Sequence, residues 1–143
     1  MNRSVLVVDF SKEAIRQITE VVMAAEEYSI IGYIIKSSTR KECDQSIQNV
    51  MELVEKDRPS IVITRIAWPG FDGQGFRLSA KIKQKFPNIV IIGINEPVLF
   101  WKDYVERKKT SEMDYLLQQP LGKSPSIIQT ILFDLEIKKL LPQ

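Results

Sequence analysis

SIVITRIAWPGFDGQGFRLSAKIKQKF, residues 60–86, is the stretch on which the fold class turns. Ser60 to Ile66 is a short, mostly β-branched run, the pattern of a strand covered on both faces. The turn Trp68-Pro69-Gly70-Phe71-Asp72-Gly73 follows, in residue types that set special backbone angles. Leu78, Ile82 and Phe86 then recur at helical spacing, and Pro87-Asn88 breaks the helix. A buried strand, a tight turn and an amphipathic helix make one unit of an α/β sheet protein.

The same unit recurs on both sides of this stretch. Upstream, Ser4 to Asp9 is a nearly unbroken apolar run, Ser11 offers a helix N-cap, and Ala14, Ile15, Ile18, Val21 and Val22 share one helical face. Tyr28 to Ile35 reads as a second strand with Gly32 inside it. A helix from about Lys41 to Lys56 buries Cys43, Ile47, Val50, Met51 and Val54, and Arg58-Pro59 ends it. Downstream, Ile89 to Ile94 is the most uniformly apolar segment and is placed as a central strand. Pro97 opens a helix with Val98, Trp101 and Val105 along one side, and Asp114 to Leu117 is a short fifth strand. Ser124-Pro125 starts a fifth helix, an N-cap followed by proline at the first helical position, with Ile128, Ile131, Leu132 and Leu135 facing the core. Five strand and helix pairs in this order predict a parallel sheet with helices on both faces. No repeat, low-complexity tract or second domain interrupts them, so residues 1–143 are read as one domain.

Composition narrows the function. Twenty basic residues against 18 acidic leave a net charge of +2, too little to attract nucleic acid or an anionic membrane by bulk electrostatics. The basic residues Lys81, Lys83, Lys85 and the run Arg107-Lys108-Lys109 are read as solvated helix faces. No apolar run approaches the ~20 residues of a membrane helix, and no secretory leader is evident; a cytoplasmic, soluble protein is expected. The absence of histidine removes His-based general bases and most zinc sites. Cys43 is alone, and its place on an apolar helix face favours a buried, inert thiol over a redox sensor.

In an open α/β sheet the reactive site lies at the carboxyl ends of the strands. At those ends, Val5-Leu6-Val7-Val8-Asp9, the turn from Trp68 to Gly73, and Asp114-Tyr115-Leu116-Leu117 with Pro120 soon after resemble the receiver (CheY-like) domains of two-component response regulators. The likeness covers nearly the whole chain in the right order, and the turn Pro69-Gly70-Phe71-Asp72-Gly73 is its most specific part. It implies a flavodoxin-like (CheY-like) doubly wound five-stranded parallel sheet in the order 2-1-3-4-5, with five helices, and a role in phosphorelay signal transduction. A working receiver phosphorylates an aspartate ending its third strand. It holds magnesium on paired acids after the first strand, and uses a hydroxyl at strand four and a lysine at strand five.

Here Asp9 matches the first acid, but Phe10 stands in the second position. The phosphoacceptor position, counted from the turn, is Arg65; the hydroxyl position is Gly93; the lysine position is Gln119 or, with one residue inserted, Gln118. A guanidinium offers no lone pair for attack on phosphorus. Magnesium wants an oxygen-rich octahedron, which one acid, an aromatic ring and a fixed cation do not provide. The expected chain is therefore a degenerate pseudo-receiver: not an enzyme, holding neither metal nor cofactor, and acting by protein contact.

Arg65 has two placements open to it, an ion pair with Asp9 filling the space of metal and phosphoryl group, or extension over the sheet edge into solvent. Asp72 is read as serving turn geometry. Trp68 borders the degenerate pocket, read as a half-exposed loop aromatic more readily than as its plug. Phe100 and Tyr104 lie on a face rotated from Val98, Trp101 and Val105, so a partner or dimer surface is expected around Phe100, Trp101, Tyr104 and Tyr115, where the receiver resemblance implies partner docking or a homodimer through helices four and five; a wide core face is the competing reading. Two rival functions stand beside the pseudo-receiver. One is a receiver phosphorylated at a non-standard residue such as Asp9 or Asp72. The other is a flavodoxin-type small-molecule binder, for which Phe10-Ser11-Lys12 lacks the glycines of a phosphate loop.

Overall fold

Five strands, β1 (Arg3–Asp9), β2 (Tyr28–Ile34), β3 (Ile61–Arg65), β4 (Val90–Asn95) and β5 (Tyr115–Gln118), run parallel in the order β2-β1-β3-β4-β5. That order is the one the resemblance implies. The computed structural model describes residues 3–23, 28–95, 101–118 and 131. Four helices have bounds among them, not the expected five: α1 (Lys12–Met23), α2 (Arg40–Asp57), α3 (Gln74–Lys85) and α4 (Trp101–Thr110). The segment from Ser124 assigned to a fifth lies outside the described residues except for Ile131, which is helical and buried.

Strand alternation sorts the core into two layers. Leu6, Val8, Val62 and Ile91 point to one face and meet Cys43, Ile47, Val50 and Val54 of α2 and Leu78 and Ile82 of α3. Val5, Val7, Ile61, Ile63, Ile92 and Ile94 point to the other, against Ile18 and Val22 of α1 and Ile131. The central strands β3 and β4 are buried along their whole length, which is why they read as continuous apolar runs.

Local chemistry fixes the helix ends. Thr39 caps α2 by accepting the Glu42 N–H at 3.1 Å, and the Glu42 carboxylate reaches back to the Ser38 N–H at 3.1 Å, a reciprocal N-terminal cap. At the other end Arg58 takes a left-handed backbone, φ 46°, and its N–H closes the helix on the Val54 carbonyl at 2.9 Å. The turn after β3 needs its glycines. Gly70 and Gly73 have φ of 79° and 76°, while Trp68 and Phe71 bond each other's backbones at 3.0 and 2.8 Å. The Ser37 hydroxyl donates to the Pro69 carbonyl at 2.7 Å and ties this turn to the loop before α2. Among the described residues no helix is long and apolar enough to cross a membrane.

Candidate functional site at the carboxyl ends of β1 and β3

β1 and β3 are neighbours in the sheet, so the side chains at their last residues share one end of it. Asp9 and Arg65 meet there. Arg65 Nε donates to Asp9 Oδ2 at 3.1 Å, and the two side chains are 6% and 1% exposed. The other carboxylate oxygen, Oδ1, accepts the Ser11 N–H at 3.0 Å at the entrance to α1. The Phe10 ring lies 5.0 Å from the guanidinium carbon and is itself 40% exposed, so it stacks over the cation from the solvent side. Of the two placements open to Arg65, the structure has the inward one. Nothing in the strand pattern gives this direction, because an arginine at a strand end is long enough to reach water as well.

The backbone of Arg65 is equally held. Its carbonyl accepts the Trp68 indole N–H at 2.9 Å and the Thr64 hydroxyl at 3.1 Å. Trp68 is 2% exposed, which corrects the expectation of a half-exposed loop aromatic: with its indole N–H satisfied by Arg65, the ring packs into the helix-covered core.

Gly93, assigned to the hydroxyl position, pairs with Thr64, while the β4 residue in register with Arg65 is Ile94; the space beside Gly93, on the other face of the sheet, is filled. A Cβ built there would collide with the Met113 sulfur and lie 2.6 Å from Ile66 Cδ1, so no side chain fits without displacing both. Met113, 3% exposed, precedes β5 and carried no sequence signal for this role. Asn95 ends β4 and accepts the Ala67 N–H on its Oδ1 at 3.1 Å, bracing the segment before the turn. Gln118 is the last residue of β5, in register with Asn95, whereas Gln119 lies outside the described residues.

A resident magnesium ion does not fit these residues. Both Asp9 oxygens already accept hydrogen bonds, one from a cation, and the second acid position is an aromatic ring.

The expected partner surface is partly corrected. Tyr104 is 2% exposed, not on an outer face. Its ring meets Phe76 edge-on, centroids 5.2 Å apart, and its hydroxyl donates to the Asp72 carboxylate. Burial first, and this bond second, push the hydroxyl pKa up. Val105, assigned to the core stripe, is 36% exposed. The larger aromatic gains more by burial and brings a polar tip that Asp72 satisfies, so α4 turns Tyr104 inward. Tyr115 is half-buried against the sheet face of Ile92 and Ile94; Trp101 opens α4; Phe100 lies outside the described residues. Asp72 thus joins the turn to α4, in addition to its place in the turn.

Other single residues find ordinary partners. Cys43 is fully buried, its thiol donating to Gln74 Oε1 at 3.4 Å, and burial pushes its pKa up, the opposite of an activated thiolate. Lys83 Nζ lies 2.8 Å from Asp114 Oδ2, and Arg107 packs 5.1 Å from the Phe76 ring centre, so both are engaged within the fold. A cavity of about 320 Å³ lined by Arg58, Ser60, Phe86 and Ile89 lies at the opposite end of the sheet, by the starts of β3 and β4.

No protein-family model matches the chain, and no curated protein matches it in sequence. Solved structures do. The response regulator DrrB of Thermotoga maritima, an OmpR/PhoB homolog, superposes with a TM-score of 0.73 at 14% identity over 97% of this chain, which spans only 54% of that protein. The chemotaxis response regulator CheY4 of Vibrio cholerae gives 0.71 at 14% identity, covering 99% of this chain and 100% of its own. The signal receiver domain of an HD domain-containing protein from Pseudomonas fluorescens gives 0.71 at 17% identity, with 94% of each chain covered. The architecture built from these strands, helices and turn is accordingly the CheY-like fold of response-regulator receiver domains.

Proposed function

We propose that this chain is a pseudo-receiver, a signalling module that works through protein contact without aspartyl phosphorylation. The observation that carries the reading is the buried pair of Arg65 and Asp9, 3.1 Å apart, at the ends of β3 and β1. A cation stands where the receiver resemblance puts the acceptor carboxylate, and it occupies the acid that remains. The β4 residue in register with Arg65, Ile94, adds no hydroxyl to that end of the sheet. With the reactive groups replaced, the fold offers partners one fixed arrangement of its carboxyl-end loops in place of a switched one.

The test is incubation of the chain with acetyl phosphate and magnesium, followed by intact-mass measurement. No gain in mass is expected. A stoichiometric phosphoryl adduct, on Asp9, Asp72 or any other carboxylate, contradicts the proposal. Affinity capture from the native cell then tests the contact half of the reading: Arg65→Ala is expected to weaken the capture of whichever proteins co-purify with the unaltered chain.

A further inference from the structure

The sheet ends on one side at β2, whose sequence is Tyr28-Ser29-Ile30-Ile31-Gly32-Tyr33-Ile34. All seven residues pair with β1 on their inner side. None carries a charge and none is proline, two of the devices that usually keep an exposed strand edge from pairing with another chain. Ser29, Gly32 and Ile34 are exposed, Ile34 to 40%.

The direction of the backbone groups follows from one bond. Ile35 donates its N–H inward to the Asp9 carbonyl at 2.9 Å. Alternate residues of a strand direct their N–H and C=O to opposite edges, so Ser29, Ile31 and Tyr33 also bond toward β1. Ile30, Gly32 and Ile34 point theirs outward, where no backbone partner stands among the described residues.

We propose that this edge joins a second copy of the chain, β2 against β2 in antiparallel register about a two-fold axis at Gly32. The strand is complementary to itself in that register. Gly32 faces Gly32 of the other copy and Ile30 faces Ile34, so the three outward residues fall opposite one another as hydrogen-bonded pairs that exchange about two bonds each. Ile31 falls opposite Tyr33, an aromatic and β-branched pair of the kind that stabilises antiparallel strands. The two faces also match. A Cβ on Gly32 would point to Ile15 of α1, 3.1 Å from its Cγ2, while Tyr33 lies on the α2 side, where its hydroxyl accepts from Asn49 at 3.0 Å. The axis therefore passes where the strand has no side chain, and the exposed Ile34 is covered by Ile30 of the second copy. This surface is remote in purpose from the Asp9 and Arg65 pair, and the inference does not rest on the function proposed above.

Sedimentation equilibrium and amide hydrogen exchange on the full chain test it. The mass is expected to rise from monomer to dimer with concentration. Over the same range the Ile30, Gly32 and Ile34 amides gain protection, while Ser29, Ile31 and Tyr33 are protected throughout. Ile34→Lys, which places a charge in the pairing edge, is expected to weaken the dimer at least about tenfold, and Val105→Lys on the exposed side of α4 to leave it unchanged. A monomer at every concentration overturns the proposal, as does a dimer whose outward amides exchange as fast as on dilution, or one that Val105→Lys disrupts and Ile34→Lys does not. Should Ile34→Lys fail to fold, the exchange pattern of the unaltered chain decides alone.

Discussion

Asp9 gives up nearly all contact with water, at 1% exposure, and keeps its charge tolerable through two donors, the Arg65 Nε and the Ser11 N–H. Arg65→Ala removes the cation and strands the carboxylate. The expected loss is about 3–5 kcal/mol, read by urea denaturation, because a buried ion left without its partner costs far more than the pair contributes. Asp9→Asn together with Arg65→Met removes both charges and is expected to recover most of that loss. Gly93→Thr tests the close packing on the other face of the sheet: crowding Met113 and Ile66 is expected to cost about 1–3 kcal/mol, and adding Met113→Ala to return part of it. The sequence placed Arg65 at the end of β3, four residues before Pro69, and Gly93 within β4. It did not make their surroundings readable. Whether an arginine turns in or out depends on the neighbouring strand, and Met113 reaches Gly93 from twenty positions along the chain.

Among the elements, β1, β3 and β4 were legible because strands covered on both faces must be apolar throughout, and their observed bounds differ from the expected ones by a residue at most ends. The helix α4 was expected from Pro97, which lies outside the described residues; from Trp101 to Thr110 it is helical, but rotated otherwise than expected. Its apolar residues are few, and the periodicity of Val98, Trp101 and Val105 outweighed a tyrosine whose decisive contacts, Phe76 and Asp72, lie on α3 and in the turn. Tyr104→Phe keeps the ring and deletes the bond to Asp72; a loss of about 0.5–1.5 kcal/mol is expected in thermal or urea unfolding. That contact also has an alkaline limit. Its hydroxyl pKa is raised in the fold above the ordinary value of 10, so the stabilisation is whole below pH 10 and is lost as pH climbs beyond it. Tyr104→Phe is expected to reduce that alkaline loss in unfolding measured between pH 9 and pH 11, a window set about the same ordinary value.

For the whole molecule, the strand order and the two-layered core follow from pattern and topology, and they place Asp9, Arg65 and the turn at one end of the sheet. On the pseudo-receiver reading proposed above, the replaced positions are spread over several elements, which bears on any attempt to reverse them. Arg65→Asp alone is expected to leave the mass unchanged after acetyl phosphate and magnesium, because Phe10 still stands at the second acid position and the β4 residue in register with position 65 is Ile94, without a hydroxyl. A phosphoryl adduct on that variant would show that the acceptor carboxylate suffices by itself. The depth of the Asp9 and Arg65 pair has a further consequence in electrolyte. Mobile ions weaken attractions that run through water, over about 8 Å at physiological ionic strength, and they do not enter a contact whose two side chains are 1% and 6% exposed. Added salt therefore loosens the open ladder of Arg16 with Glu13 and Glu20 on α1, where every member is more than half exposed, and leaves the brace between β1 and β3 at full strength.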